Sequence, residues 1–254
     1  MLSPLFSMAS TPYRMLRARQ SFPFVRIKPL SLLHDRVLFI DGEAIILDKP
    51  SGLPVDAPRD GSLSLENHLS SLTFGFQRWP LPVHRLDRDT SGCLLLARNP
   101  KAHKRYAAAF EAGTVQKRYV AVVEGVPDAE TGTIELSLKK VSSAAKGWRM
   151  IAAKDGKSAV TEWRKLAEQD GRALIIFTPR TGRTHQIRAH TLHGMGFGIA
   201  GDPVYGSGEG PMLLHSRFLS MPRAGKAPAE ATAPLPATFS TAGFGPEYLD
   251  DAGL

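Results

Sequence analysis

The sequence predicts an α+β protein with a mixed, mainly antiparallel sheet and flanking helices. Strand-like segments outnumber helix-like segments along the 254 residues, and most of them are short and either β-branched or alternating in polarity. These segments do not alternate regularly with helices, which argues against a parallel α/β sheet. The hydrophobic fraction of 43% and the charged fraction of 22% are ordinary for a folded protein, so the chain can bury a substantial core.

The first predicted element is a β-hairpin. Apolar segments at 37–40 and 44–47 flank Asp41-Gly42, and an Asp-Gly pair permits the positive backbone dihedrals of a tight hairpin turn. An apolar strand is predicted further on, at 93–97. It contains Cys93, the single cysteine, which excludes an intramolecular disulfide and is expected to be buried as a small hydrophobe.

A helix is predicted between Asn99 and Gly113. Asn99 is suited to cap the helix, Pro100 to occupy its first position and Gly113 to end it. Apolar residues recur between these positions at helical spacing. Four further strands are predicted from short β-branched or alternating segments, at 120–123, 134–138, 159–166 and 173–177.

The two ends of the chain differ in composition from the middle. Residues 1–34 hold five basic residues and no acid, and so account for five of the eight excess positive charges. We expect them to form a flexible basic extension; a later start codon and an organelle presequence are the alternatives. Residues 224–236 are rich in Ala and Pro and are expected to be an extended surface stretch. This leaves 35–240 as the folded domain and 241–254 as a C-terminal tail.

The charge of the chain favours a polyanionic partner. The net charge is +8 and the pI is about 9.7, and residues 139–165 contain eight basic residues against two acidic ones. Such a segment suits a phosphate backbone, although a solvated charged face is the alternative. No apolar run is long enough to predict a membrane-spanning helix.

The densest polar run, at 83–92, directly precedes an apolar strand, where a rigid scaffold can present reactive side chains. Within it Asp87 has Arg85 and Arg88 as sequence neighbours. A cation close to a carboxylate keeps it ionised, as a nucleophile must be. The alternative is a structural loop in which Asp87 or Asp89 caps backbone amides and the arginines pair locally.

A second polar run follows the last of the predicted strands. Thr184 can cap a helix and Gly194 can close it, which predicts a helix at 185–193. His185 and Arg188 would then share one face near the helix start, a natural site for anionic groups; ordinary capping with surface cations is the alternative. The histidines match no metal-ligand spacing and no thiolate accompanies them, so no metal site is expected.

A third segment, at 117–123, opens with the basic pair Lys117 and Arg118 and contains Tyr119. A tyrosine that faces a cleft can stack on a base, whereas one that faces inward simply packs. The segment alone favours packing. The sequence contains no phosphate-cradling Gly-rich loop, no Gly-x-Ser-x-Gly elbow and no dinucleotide fingerprint.

Taken together and in order, these segments resemble the motifs of the RluA-type RNA pseudouridine synthase family. The likeness extends from about Asp35 to about Phe239 and includes an opening hairpin with a Lys-Pro-x-Gly turn. Four ordered matches make coincidence improbable. The segments are 37–55, 84–92 (HRLDRDTSG), 117–123 (KRYVAVV) and 182–190 (GRTHQIRAH), with 201–206 and 213–215 completing the pattern.

The resemblance implies that 35–240 form a pseudouridine synthase catalytic domain that acts on ribosomal RNA, transfer RNA or both and needs no cofactor. Asp87 would act on the ribose-uracil unit, either as a covalent nucleophile or as the base that removes the 2′ proton. Tyr119 would stack on the uracil and transfer a proton at C5, and Arg188 would pair with Asp87. The implied substrate-binding residues are His84, Thr90, Arg183, His185, Ile187 in the apolar wall, and Arg85 in the space left by the extracted base.

Two departures from the family pattern have consequences. Residues 1–34 do not match the S4 RNA-binding module that the family often carries, so substrate capture is expected to rest on the catalytic domain. Residues 216–222 are more basic than the family pattern where they border the site.

The alternatives in function are a non-catalytic RNA-binding or chaperone protein on the same scaffold and a nucleoside hydrolase. We expect an RNA partner, no DNA or membrane partner and a monomer in a bacterial cytoplasm, with a mitochondrial location as the alternative.

Overall fold

A computed structural model of the chain describes residues 33–58, 60–143 and 147–252. Residues 1–32 of the predicted basic extension lie outside these ranges. Within them, three α-helices and several 3-10 turns accompany a large sheet. No helix in the described part of the chain is long and apolar enough to cross a membrane. The α-helices are α1 (Pro100–Glu111), α2 (Gln186–His190) and α3 (Ala237–Thr241), and the 3-10 helices are Leu33–Arg36, Leu65–Leu72 and Pro246–Ala252.

The sheet is mixed and mostly antiparallel, so the predicted fold class is confirmed. All five strands predicted at 93–97 and later lie within observed strands, each of which is longer than predicted. The strands are β1 (Val37–Ile40), β2 (Ala44–Lys49), β3 (Leu81–Pro82), β4 (Ser91–Ala97), β5 (Gln116–Val123), β6 (Thr131–Ser143), β7 (Gly147–Ala152), β8 (Lys157–Gln169), β9 (Arg172–Pro179), β10 (Leu214–Arg223) and β11 (Lys226–Thr232).

The strand order places β10 in the middle of the sheet. The order is β1-β2-β4-β10-β5-β9-β8-β6-β7, with β3 beside β4 and β11 paired with β10. Strand β10 runs parallel to β4 and antiparallel to β5, so Gly92, Ser216 and Tyr119 form one row across the three strands. The segment that enters β4 therefore lies about 10 Å from β5, two strand spacings away.

The predicted hairpin forms, but its turn differs from the predicted one. Three residues, 41–43, connect β1 to β2, and Gly42 does not adopt a positive φ. Instead, the Asp41 carboxylate accepts hydrogen bonds from the amides of Glu43 and Ala44, at 2.8 and 2.9 Å. The turn is stabilised by this side chain, which removes the need for a left-handed backbone.

Helix α1 begins and ends as predicted. The Asn99 side chain accepts a hydrogen bond from the amide of Ala102 at 2.8 Å, Pro100 occupies the first position, and Gly113 follows the helix with a φ of +70°. Ala102 and Tyr106 face inward, into the core cluster that contains Cys93. The predicted burial of this cysteine is confirmed.

The C-terminal region is more ordered than the composition suggests. The stretch at 224–236 was expected to be extended and on the surface, and most of its side chains are exposed. It is more regular than expected, because Lys226–Thr232 form β11, which pairs with β10, and Ala229 and Ala233 are fully buried. Alanine side chains are small enough to pack closely beneath a helix, and these two join the cluster around Tyr106. Beyond residue 240, Phe244 and Leu249 are core residues in a second cluster.

Candidate active site

The loop between β3 and β4 carries Asp87 and is attached to the rest of the sheet by a buried lysine. The Lys49 ammonium donates hydrogen bonds to the carbonyl oxygens of Leu53, at 2.9 Å, and Arg88, at 3.0 Å. Burial lowers the pKa of Lys49 to about 7, although the neighbouring carboxylates of Asp89, Asp87 and Asp48 oppose the shift. This side chain ties the Lys-Pro-x-Gly turn to the loop one residue beyond Asp87.

A glycine is required where the loop enters β4. Gly92 has a φ of +101°, and a Cβ at this position would lie 2.2 Å from the carbonyl oxygen of Ser216. Any side chain would therefore displace β10 from its parallel register with β4. Gly92 thus allows the strand contact that brings the Asp87 loop close to β5.

Asp87 borders a cavity of about 640 Å³. Its Oδ2 lies 2.9 Å from Nη1 of Arg188 and 3.7 Å from Nε2 of His185. The carboxylate is partly exposed to the cavity, whereas the arginine is almost fully buried. A carboxylate that accepts a hydrogen bond from a buried guanidinium at the edge of a cavity is held in position and remains accessible to a ligand.

Arg188 is held in place by a second carboxylate, that of Asp202. Its Nε and Nη2 donate to the two oxygens of Asp202, at 2.6 and 2.8 Å, which leaves Nη1 for Asp87. Asp202 is 0% exposed, and its Oδ1 also accepts the amide hydrogens of Val204 and Tyr205. Burial opposes the charge of Arg188, but Asp202 and Asp87 outweigh it and raise the pKa of the guanidinium.

The observed helix begins one residue later than the helix predicted at 185–193, and its last part is a π-helical turn. Helix α2 begins at Gln186, and His185 precedes it in a left-handed conformation, with φ 51° and ψ 24°. Thr184 is therefore not the cap. The chain continues after α2 as a π-helical turn, Thr191–Met195, which ends at Gly196 rather than at Gly194. Although His185 lies outside the helix, it still converges with Arg188 on Asp87.

Buried Gln186 organises the turn before α2 in place of a cap. Its Oε1 accepts hydrogen bonds from the Thr181 hydroxyl at 2.7 Å and from the Arg183 amide at 2.9 Å. Its Nε2 donates to the Val160 carbonyl and the Thr161 hydroxyl on β8. Since every polar atom of this side chain is satisfied, the turn is fixed to the sheet.

Aromatic side chains surround His185. Its ring stacks at a tilt on Trp148, with ring centroids 4.5 Å apart, and its Nδ1 lies 3.1 Å from the Tyr205 hydroxyl. Burial lowers the pKa of His185; the Asp87 carboxylate opposes the shift and the Arg188 charge reinforces it. The imidazole is thus favoured in its neutral form beside Asp87. Trp148 is 41% exposed and forms the outer edge of this group.

Tyr119 lines the cavity, so its side chain is not confined to the core. Burial raises the pKa of its hydroxyl to about 12, against the effect of a hydrogen bond with Ser216. The phenol is therefore protonated at neutral pH. Ile187 and Leu214 contribute apolar surface to the same cavity, which supplies a dry wall beside a proton donor.

Asp87 pairs with Arg188 and not with Arg85 or Arg88, its neighbours in sequence. Arg85 pairs with Asp56 at 2.9 Å and Arg88 pairs with Asp89 at 3.1 Å. Of the two arginines, only Arg88 pairs locally, as the alternative expected. Arg85 pairs with the more distant Asp56, and Asp87 pairs with Arg188.

The remaining predicted site residues also line the cavity, and some have a structural role as well. His84 stacks on Phe110 with centroids 4.4 Å apart, and its Nε2 accepts the amide hydrogen of Leu95 at 3.0 Å. Burial lowers the pKa of His84 to about 3. The Thr90 amide closes the loop by donating to the Asp87 carbonyl oxygen. All nine predicted residues border the cavity: His84, Arg85, Asp87, Thr90, Tyr119, Arg183, His185, Ile187 and Arg188.

Sequence reasoning gave no role to three residues that shape the site. Asp202 lies in the segment 201–206, which belongs to the family pattern but to which the resemblance assigns no role. A second acidic partner of Arg188 could have been predicted, because an arginine that pairs with one carboxylate still has N–H donors for another. Gln186 lies between two predicted site residues. Trp148 lies in the segment at 139–165, whose basic residues indicate a phosphate partner but give no sign of an aromatic contact.

Comparison with known proteins identifies a family. The family described as RNA pseudouridylate synthase matches residues 43–193. A Zymomonas mobilis protein described as an uncharacterized RNA pseudouridine synthase is 56% identical over 219 residues, which are 85% of this chain and 100% of that protein. The ribosomal large subunit pseudouridine synthase C of Haemophilus influenzae is 35% identical over 71% of this chain, which spans 55% of its length.

Solved human structures share the fold. The structure of human RNA pseudouridylate synthase domain containing 4 has a TM-score of 0.70 at 23% identity, covering 85% of this chain and 94% of that one. Human RNA pseudouridylate synthase domain containing 1 has a TM-score of 0.67 at 25% identity, covering 80% and 84%. At such identities the likeness concerns the architecture of the sheet.

Proposed function

Because this chain belongs to the RluA-type RNA pseudouridine synthase family, a family of isomerases, we propose that it converts specific uridines of RNA to pseudouridine, with Asp87 as the reacting carboxylate. Ribosomal RNA is the first substrate to test, since relatives about one third identical are named for the large ribosomal subunit; transfer RNA is the second. We further propose that it acts as a monomer. We also propose a bacterial cytoplasm as its location, since the relatives compared by sequence come from Zymomonas mobilis and Haemophilus influenzae.

One observation carries the proposal: the contact of Asp87 with Arg188 at the edge of the cavity. The reaction breaks the bond between uracil N1 and ribose C1′, turns the base and joins C5 to C1′. The proton lost from C5 is balanced by the one that N1 gains, so no redox step occurs. The protein has to supply an ionised carboxylate beside the ribose and a partly dry pocket for the base. The cavity volume is within the range of small-ligand sites.

Asp87 can perform the first step in two ways. As a nucleophile it would form a covalent bond at C1′ or at C6 of the base; as a base it would remove the 2′ proton so that the uracil leaves. In both routes the hydrogen bond from Arg188 holds the carboxylate in place. The Arg85 side chain is 68% exposed at the rim of the cavity, where it pairs with Asp56. We propose that it leaves Asp56 and occupies the gap that the extracted base leaves in the RNA.

Pseudouridine formation by the purified protein tests the proposal. Ribosomal and transfer RNA from cells that lack the gene would be incubated with the protein. New pseudouridines would be mapped along the RNA by chemical labelling and primer extension, and released uracil would be measured by chromatography. We expect pseudouridine at one or a few positions and no free uracil. Release of uracil would indicate a hydrolase instead, and RNA binding without either product would indicate a non-catalytic RNA-binding protein.

Replacing Tyr119 with phenylalanine should separate stacking from proton transfer. The ring would remain against the base, but the hydroxyl, whose pKa is about 12 in the folded protein, would be missing. We expect kcat to fall by about 10²-fold or more, while KM for the RNA stays nearly unchanged. Steady-state kinetics on the mapped RNA would measure both, and a normal kcat would exclude the hydroxyl from the chemistry.

A further inference from the structure

Lys117 is a buried cation that the reaction outlined above does not use. It lies on β5 two residues before Tyr119, and residues two apart on a strand project from the same face. Both side chains accordingly line the cavity. Only 9% of Lys117 is exposed, so its ammonium is largely removed from bulk water and is open chiefly to the cavity.

No carboxylate compensates the charge of Lys117 within the described part of the chain. Burial lowers its pKa, and no acidic group opposes the shift. The Lys117 Nζ lies 5.9 Å from the centroid of the Phe110 ring. A buried charge without a partner is costly. The arrangement makes physical sense if an anion enters the cavity and pairs with it.

The other cations that line the cavity differ in whether they already form an ion pair. Arg180 is already engaged by Glu162 in a two-point ion pair, at 2.8 and 2.7 Å, and Arg188 is engaged by its two aspartates. Arg183 makes a hydrogen bond to the Ser158 carbonyl and no ion pair with a described carboxylate. Arg85, which also lines the cavity, pairs with Asp56. Among the described residues that line the cavity, Lys117 and Arg183 are therefore the cations that make no ion pair.

The backbone next to Arg183 passes close to Lys117 at Gly182. A Cβ built on this glycine would lie 4.0 Å from Lys117 Nζ, so the segment that carries Arg183 passes directly beside the ammonium. Lys117 and Tyr119 are about 7 Å apart along the strand. A single nucleotide spans such a distance between its base and its phosphate, so a base on Tyr119 would place a phosphate beside Lys117.

We propose that Lys117, assisted by Arg183, forms a phosphate subsite that binds a phosphodiester next to the target uridine. The assignment to RNA rests on the proposed function; the anion site itself rests on the buried unpaired cation. The subsite would orient the extracted nucleotide with its ribose toward Asp87. It would also favour a nucleotide over a free nucleoside, because only the nucleotide has a phosphate that can pair with the lysine.

The test compares ligands with and without phosphate. Uridine, uridine 5′-monophosphate and uridine 3′-monophosphate would be titrated by calorimetry or NMR into the wild-type protein and into the Lys117→Met, Lys117→Arg and Lys101→Met variants. Lys101 is an exposed lysine at the start of α1 and serves as the matched control. We expect one of the two nucleotides to bind the wild type at least about tenfold more tightly than uridine.

In Lys117→Met this preference should vanish while the affinity for uridine stays the same; Lys117→Arg should keep most of it, and Lys101→Met all of it. The thermal midpoint of Lys117→Met should not fall, because methionine replaces a buried charge that has no partner. An equal preference in Lys117→Met and wild type, or none in the wild type, would overturn the inference. A phosphate preference that depends on Lys117 in a protein that forms no pseudouridine would support the subsite and overturn the proposed function.

Discussion

Replacing Asp87 with asparagine should abolish pseudouridine formation, lowering turnover by at least about 10³-fold, whichever route the reaction takes. Asparagine has nearly the same shape and can still accept a hydrogen bond from Arg188. It has no negative charge, however, and can neither attack the sugar nor remove a proton. The variant should fold normally, since the Asp87 side chain is partly exposed and Arg188 keeps its contacts with Asp202. RNA affinity should change little.

Asp89→Asn is the matched control for this change. Asp89 lies two residues away in the same loop and its carboxylate pairs with the exposed side chain of Arg88, outside the lining of the cavity. Its replacement should leave turnover nearly unchanged. Single-turnover assays on the mapped RNA would compare the three proteins. Normal pseudouridine formation by Asp87→Asn would refute the assignment of Asp87 and the mechanism built on it.

Those features of the fold that depend on local contacts could be predicted from sequence. Helix α1 is an example, because its cap, its first residue and its terminating glycine each act on backbone groups of the nearest helical turn. The Asp41 turn shows the limit of this reasoning. The hairpin was predictable from its apolar flanks, but the turn geometry was decided by a side chain that accepts two amides.

Features that depend on distant contacts could not be predicted. Strand β10 follows β5 by some 90 residues, yet it inserts between β4 and β5, and no period in the sequence reports this. The left-handed His185 is a second case: local capping rules favoured Thr184, and they were overridden by Gln186, which binds β8. Family resemblance supplied the residues that surround the cavity and the pairing of Arg188 with Asp87, but it did not supply Asp202, the second partner of Arg188.

The buried pair of Arg188 and Asp202 leads to the second large expected effect. Replacing Arg188 with methionine should lower kcat by about 10²-fold or more, because the charge and the donor that hold Asp87 are lost. The change should also destabilise the protein by about 3–5 kcal/mol, because Asp202 is left as an unpaired buried charge. A fall in activity alone would therefore not distinguish a catalytic role of Arg188 from partial unfolding.

The double variant Arg188→Met/Asp202→Asn separates the two effects. Asparagine at 202 can retain the oxygen that accepts the amides of Val204 and Tyr205, and it carries no charge that needs Arg188. Chemical denaturation should therefore show much of the lost stability restored in the double variant. Pseudouridine formation should stay as low as in Arg188→Met, with RNA affinity nearly intact in both. Recovery of activity together with stability would instead mean that Arg188 contributes only to the fold, and that another group keeps Asp87 ready to react.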